Sequence, residues 1–370
     1  MAIMSKSNDN IEIFISGGGP VGLAAAVELR RRGFTPRIID PDPIVSPESR
    51  ALAVNSRTLE LLEPSGVTDL LIAAGQKMKK LVIRRNQKII TMIDLTKIPH
   101  RFNFLLALPQ SKTEEILETK LVEMGIGLER NLSLKNFKSG SSIGLELSDG
   151  STSETDMLIG ADGAHSLVRH KLGLGFDGES DQQEFGLCDV YLEDWPFAFD
   201  TIVLTILDTH LAPFIPMSEG YGRFISTIGD SPNNLPPDAK VKKIAWETDF
   251  KISYRQASSY QKDNIFLAGD AAHIHSPVGG RGMNLGIEDA CWLAWLIEQG
   301  RAAEYTDLRH PVGKQVLKFT HSFTSFAKNR GLLQDILIGC LAPLVPLLPP
   351  VQSRIFRALT ALNTPVAPWL

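Results

Sequence analysis

The chain opens with a run that few folds accommodate. Residues 11 to 16, I-E-I-F-I-S, alternate into a β-branched strand, and G-G-G-P-V-G at 17 to 22 opens a helix from about Pro20 to Arg32 that Gly33 closes. A second strand, Pro36 to Ile39, ends on Asp40. Strand, glycine turn, helix, strand and terminal acid make the first βαβ unit of a dinucleotide fold, and so an α/β protein. In such a unit Gly17 makes the tight turn and Gly19 lets backbone N–H groups approach a pyrophosphate. Pro20 and Val21 start the helix, and Gly22 lets helix and strand pack closely. Asp40 is placed to accept hydrogen bonds from an adenosine ribose.

That fingerprint does not separate FAD from NAD. A second site of the same kind lies about 250 residues later, in N-I-F-L-A-G-D-A-A-H-I-H-S-P-V-G-G-R-G-M-N-L-G-I-E-D-A at 264 to 290. An apolar strand, Ile265 to Ala268, ends at Gly269-Asp270. A loop holding Pro277, Gly279, Gly280 and Gly282 leads into a helix from about Met283, with Asn284 in its first turn. Two distant segments of this type favour FAD, whose two ends must be held separately. Arg281, inside the glycine loop, could assist the helix N-terminus in stabilising a reduced flavin, or could be a surface residue. His273 and His275 form H-x-H, but no carboxylate and cysteine cluster accompanies them, so a loop role is preferred to a metal site.

Other positions are ambiguous by themselves. Arg50 could pair with phosphate or lie solvated on the surface. Gln110 sits at a strand-to-helix junction, after L-L-A-L-P and before a helix from Ser111, an N-cap with Glu114 three residues on. Asp162 and Gly163 follow a buried strand in G-A-D-G-A-H-S-L-V-R at 160 to 169, as a cofactor contact or as a capping turn.

Residues 183 to 230 change character. Phe185 to Leu192, Thr201 to Leu207, Leu211 to Met217 and Tyr221 to Ile228 read as strands with no ordinary helix between them, an inserted substrate sheet. His210, Tyr191, Tyr221 and Arg223 on that sheet could touch a phenolic substrate or be structural. The expected organisation is FAD-binding parts at 1–80, 111–180 and 263–320, substrate-domain parts at 81–110 and 181–262, and C-terminal helices at 321–370. The last stretch is apolar and proline-rich; helices covering the flavin domain are preferred to peripheral membrane contact.

Composition narrows the partners. Lys plus Arg (38) against Asp plus Glu (42) gives a net charge of -4 without long runs, which advertises no nucleic-acid surface. The three cysteines, Cys188, Cys291 and Cys340, are far apart and lack C-x-x-C spacing, so neither disulfides nor zinc are indicated. The first residues carry no apolar signal core, and no transmembrane segment is expected. A cytoplasmic monomer or homodimer is the expectation.

The three motifs together, G-G-G-P-V-G, G-A-D-G-A-H-S-x-V-R and G-D-A-A-H-x-x-x-P-x-G-G-x-G-M-N-x-G-x-x-D-A, resemble those of the FAD-dependent aromatic hydroxylases, the single-component flavoprotein monooxygenases of the para-hydroxybenzoate hydroxylase type, in order and approximate spacing. The resemblance implies a Rossmann-like FAD-binding domain with an inserted, mainly antiparallel β-sheet. It places Gly17, Gly19 and Gly22 at the pyrophosphate, Asp40 at the ribose, Arg50 and Gln110 at the ribityl-pyrophosphate region and Asp270 at the ribityl chain. Asp162-Gly163 would support FAD and, transiently, NAD(P)H; Pro277 to Asn284 would border the isoalloxazine ring. The implied reaction uses O2 and a flavin C4a-hydroperoxide to hydroxylate an aromatic or polyketide-like molecule, with no catalytic triad required. Two alternatives stay open: a reductase or dehydrogenase of the same fold, and a flavin-binding accessory protein without hydroxylase activity. The connection from Ile228 to Trp246 looks shorter than in most relatives, which leaves the substrate the least constrained inheritance.

Overall fold

The structure is a computed structural model that describes residues 11–46, 51–277, 279–328 and 342–370. Its centre is a six-stranded sheet in the order Gln261–Lys262, Ile265–Leu267, Met157–Gly160, Ile13–Ser16, Arg37–Ile39, Leu128–Glu129. All pairings are parallel except that between the first two strands. Both faces are covered, so Ile13–Ser16 and Met157–Gly160 are buried at every position, as a parallel sheet requires. Ile13–Ser16 lies between Arg37–Ile39 on one side and Met157–Gly160 on the other. The chain therefore leaves the first strand in both directions, and a crevice opens at the carboxyl ends of these strands.

Helix Pro20–Arg31 starts on Pro20 and ends before Gly33, whose φ is +89°. It packs with helix Gly282–Glu298 on this sheet, the two sharing one core with Leu23, Val27, Ile287 and Leu293 fully buried.

The second large sheet has eight strands: His273–Ile274, Lys240–Ala257, Phe176–Asp194, Tyr221–Ser226, Leu211–Ser218, Thr201–Ile206, Lys80–Arg85 and Lys88–Asp94. It is antiparallel except where Thr201–Ile206 runs parallel to Lys80–Arg85. Phe176–Asp194 and Lys240–Ala257 are much longer than hydrophobic alternation indicates, and register shifts between Ser180 and Glu184 and between Asp189 and Val190 interrupt their ladder. Their ends carry charged residues held in strand by the mutual backbone ladder, with side-chain contacts such as Lys240–Asp194 and Arg255–Ser180 beside it.

Two local expectations need correction, and two helices add to the picture. Leu105–Ala107 joins Ala53–Val54 and Gln76–Met78 in a small separate sheet, not the substrate sheet. A helix at Val67–Ala74 follows the left-handed Gly66. Helix Gln110–Glu123 begins one residue early with Pro109 at its N-cap; Ser111 lies inside it, and Glu114 accepts from Gln110 Nε2 (2.8 Å). Helix Tyr305–Lys328 runs through Pro311, forgoing the hydrogen bond the missing N–H would make.

The C-terminal segment folds back onto the FAD-type unit. Phe356 and Leu362 pack with Ile93 of the large sheet and Leu95 of the turn after it, while Trp369 meets Trp292 edge-on at 5.5 Å and Trp295 at a tilt at 5.3 Å. No helix among the described residues is long and apolar enough to cross a membrane.

Candidate functional site

Three loops converge at the strand tips, and each contact between them is too close to be incidental. The first loop touches the second at Gly17, whose φ is +111°; a methyl there would sit 2.3 Å from the Ala161 carbonyl oxygen. Gly22 is closed against the same turn, since a methyl would lie 1.9 Å from the Gly17 oxygen. The first loop touches the third through Val21, whose side chain fills the space where a methyl on Gly269 (2.8 Å) or Gly286 (2.5 Å) would go. The second loop is tied to the third by Arg169, 3% exposed, which donates to the carbonyls of Ala164 (2.8 Å) and Ala271 (2.9 Å) and lies 3.7 Å over Phe176. Burial lowers the Arg169 pKa. Arg169 was noticed in the sequence only as part of the second motif; its arginine type beside two loops of open backbone carbonyls was the available signal.

The convergence leaves room for an extended ligand. Nothing lies within 4 Å of where a side chain on Gly19 or Gly163 would project. Helices Pro20–Arg31 and Gly282–Glu298 have no side-chain cap, so their first amides are available to an electron-rich group. Two consecutive left-handed glycines, Gly279 (φ +78°) and Gly280 (φ +61°), precede the second helix, and Gly280 N–H closes a turn on Pro277 O at 2.9 Å. Asp162 Oδ2 accepts from Val168 N–H while its buried Oδ1 has no partner. Asp270 is exposed at its strand tip. Asp40 accepts from Gly18 N–H (2.5 Å) and Asp42 N–H (2.8 Å), which shapes the first turn and leaves lone pairs for ribose hydroxyls. These features fit a dinucleotide laid across the sheet.

Several expected site residues have other occupations. Arg50 lies outside the described residues. Asn284, 2% exposed, accepts from Asn55 N–H (3.0 Å) and the Thr58 hydroxyl (2.7 Å), and donates to Ala53 O (2.7 Å) and Gly280 O (2.6 Å). Its amide is spent on anchoring the glycine loop, and Met283 is core. Arg281, 1% exposed, does not aim its charge along the loop: Nη1 donates to Ala358 O (2.7 Å) and Asn363 Oδ1 (3.2 Å), clamping the C-terminal segment. His210 is a hairpin-end residue, its two ring nitrogens engaged by Thr209 and the Asn234 carbonyl. Tyr191 and Tyr221 stack at 4.7 Å, and Arg223 pairs with Asp189.

His273 and His275 are buried among charges rather than arranged for a metal, and no metal-holding group occurs among the described residues. His273 Nε2 meets Asp289 Oδ2, Arg309 donates to Asp289 Oδ1 and Glu288 Oε1 (both 2.8 Å), and Thr364 reaches Glu288. Burial opposes ionisation of Asp289, but Arg309 and His273 outweigh it and lower its pKa. His275 Nδ1 donates to Ser276 O at 2.9 Å, and its buried Nε2 has no partner. Burial, then the neighbouring His273, pushes the His275 pKa down to about 3. An unfolded histidine titrates near ~6.5, so below that pH the unfolded chain takes a proton that the folded ring refuses. Stability from this group is whole above pH ~6.5 and is lost progressively toward pH ~3, by at most about 1.4 kcal/mol per pH unit. His275→Gln is expected to flatten the fall in urea midpoint between neutral and acid pH; an unchanged slope removes His275 as its source.

A family model described as FAD binding domain matches residues 10–229 and 230–320. The chain is 31% identical to the 6-methylpretetramide 4-monooxygenase of Streptomyces rimosus, over 97% of this chain and 70% of that protein. It is also 31% identical to the pentachlorophenol 4-monooxygenase of Sphingobium chlorophenolicum, over 86% of this chain and 65% of the relative, so it spans about two thirds of these proteins' lengths. Among solved structures, the p-nitrophenol 4-monooxygenase from Pseudomonas putida DLL-E4 superposes with a TM-score of 0.87, covering 97% of this chain and 100% of that one; at 21% identity it speaks to the fold. With the three loops meeting as they do and matches of this extent, the chain belongs to the FAD binding domain family and, within it, to the FAD-dependent aromatic hydroxylases.

Proposed function

We infer that the protein is a monooxygenase that uses FAD, NAD(P)H and O2 to hydroxylate an aromatic or polyketide-like small molecule. The observation that carries this reading is the convergence of Gly17–Gly22, Asp162–Gly163 and Gly269–Asp270 at one end of the mainly parallel sheet, in a chain that also carries a second, mainly antiparallel sheet. The relatives' named reactions support it.

The bound flavin would accept electrons from NAD(P)H and activate oxygen for transfer of one atom to the substrate. The chain's own residues then have positioning tasks. The first glycine turn, with Pro20 and Val21, would receive the pyrophosphate on backbone amides, and Asp40 would hold the ribose. Asp162 Oδ1, buried and unpartnered, would accept a hydroxyl from the dinucleotide. Asp270 and Gln110 would take the ribityl side. The uncapped N-terminus at Gly282 would favour negative charge on the ring system beside Pro277 and Gly280. Tyr221 would offer its phenol as a hydrogen-bond donor, since burial and then Asp189 raise its pKa.

Reconstituted yellow protein should consume NADPH and oxygen faster in the presence of a phenolic substrate and place one atom of labelled oxygen gas in the product. Flavin reduction that no phenol accelerates, without any oxygenated product, would transfer the assignment to a reductase of the same fold.

A further inference from the structure

The C-terminal segment has two sides that differ in kind. In helix Pro349–Leu359, Phe356 is 1% exposed and packs with Ile93, Leu95 and Ile98, and the same segment is held from within by Arg281, which donates to Ala358 O and Asn363 Oδ1. The outward side is bare. Pro343, Leu347, Leu348, Pro349 and Pro350 are exposed, Leu347 at 74% and Leu348 at 46%, so the apolar run Leu347 to Pro350 projects at the bend between the turn Ala342–Leu347 and the helix. An unbroken exposed run of this kind marks a surface that meets a partner.

Two features say what kind of partner. The first is charge. Pro350, Arg354 and Arg357 recur at helical spacing and share the outer stripe of the helix; both arginines are exposed, and neither forms an ion pair among the described residues. Residues 342 to 370 contain no aspartate or glutamate. The second is the backbone of the tip. Pro349 and Pro350 have no N–H, Leu348 N–H donates to Val345 O (3.1 Å), and Leu348 O accepts from Val351 and Gln352 N–H (2.9 and 3.1 Å). These groups can leave water without being stranded, which is the condition for entering lipid.

We propose that the tip Leu347 to Pro350 and the arginines behind it dock the protein on the surface of an anionic lipid bilayer, the leucines in the headgroup boundary and the guanidiniums at the phosphates. The contact is interfacial, since no helix among the described residues is long and apolar enough to span. The whole chain carries a net charge of -4, so attraction to anionic lipid has to come from this cationic segment and not from the protein's overall field. The inference goes beyond the proposed reaction and stands whether or not the protein hydroxylates anything.

The test is co-sedimentation of the full chain with vesicles of phosphatidylcholine alone and of phosphatidylcholine with about one third phosphatidylserine. The protein is expected to bind the mixed vesicles at least about tenfold more tightly than the neutral ones, and to be released as ionic strength rises. Leu347→Ser with Leu348→Ser should weaken binding to the mixed vesicles by about tenfold or more, and Arg354→Gln by about fivefold, each without change in bound FAD or urea midpoint. No retention of the unaltered protein on the mixed vesicles overturns the proposal, as does undiminished retention of the double serine variant. A dimer that the serine changes turn into monomer, with vesicle binding absent, assigns the tip to a second copy and overturns it as well. Should the serine variant misfold, Arg354→Gln and the comparison of the two vesicle types decide.

Discussion

Arg169→Met is expected to leave a protein that purifies without FAD. The side chain links the loop at Ala161–Ala164 to the Gly269–Ala271 turn through a cation: it satisfies Ala164 O and Ala271 O at once and packs on Phe176. Methionine fills much of the volume but donates nothing. The buried Ala271 carbonyl is then left unpaired at about 1–3 kcal/mol, the half-buried Ala164 carbonyl at less, and the cation–π contact goes as well. A net loss of about 3 kcal/mol, if it fell wholly on the closed arrangement of the two turns, would weaken FAD binding by about two orders of magnitude. Arg169→Lys should recover little, because one ammonium does not reproduce the guanidinium's planar fork. Titration of apoprotein with FAD, beside urea melts of the apo form, measures both terms; a variant that binds FAD as the parent does would remove Arg169 from this role.

Asn284→Ala should be the next most damaging single change. Four bonds converge on that amide from the strand before helix Ser56–Leu62, from the helix's first turn, and from the glycine loop itself. Deleting it strands the buried Asn55 N–H and Thr58 hydroxyl and frees the half-buried carbonyls of Ala53 and Gly280, at a cost of about 3–5 kcal/mol. Asn284→Asp should do no better. It keeps the two acceptor contacts but points a carboxylate oxygen at two carbonyl oxygens and buries a charge. The urea midpoint and the retained FAD should fall together; an aspartate variant as stable as the parent would contradict this account of the amide.

The first βαβ unit was legible because each of its parts is dictated locally. A β-branched run makes a strand, Pro20 presets the first helical turn, Gly33 ends the helix, and Gly17 and Gly22 occupy places where any side chain collides. The order of the motifs likewise announced the FAD-type fold. Local pattern misled where long-range pairing decides: the charged ends of Phe176–Asp194 and Lys240–Ala257 are strand because each is the other's partner.

Identity of residue type alone also failed to tell which side chains face a ligand and which hold the loops. Arg281 and Asn284 read as cofactor contacts from their place in the glycine loop, yet their polar atoms turn to Ala358, Asn363, Ala53 and Asn55. Arg169, Val21 and Gly286 bind the three loops together, and Arg223 meets Asp189 from another strand. Sequence by itself determined the first βαβ unit, the glycine turns and the acids at strand ends, because φ/ψ limits, apolar periodicity and helix ends are properties of neighbours in the chain. Only the tertiary structure decided what each buried polar group donates to, because a hydrogen bond or ion pair formed across more than a hundred residues depends on which strands lie side by side.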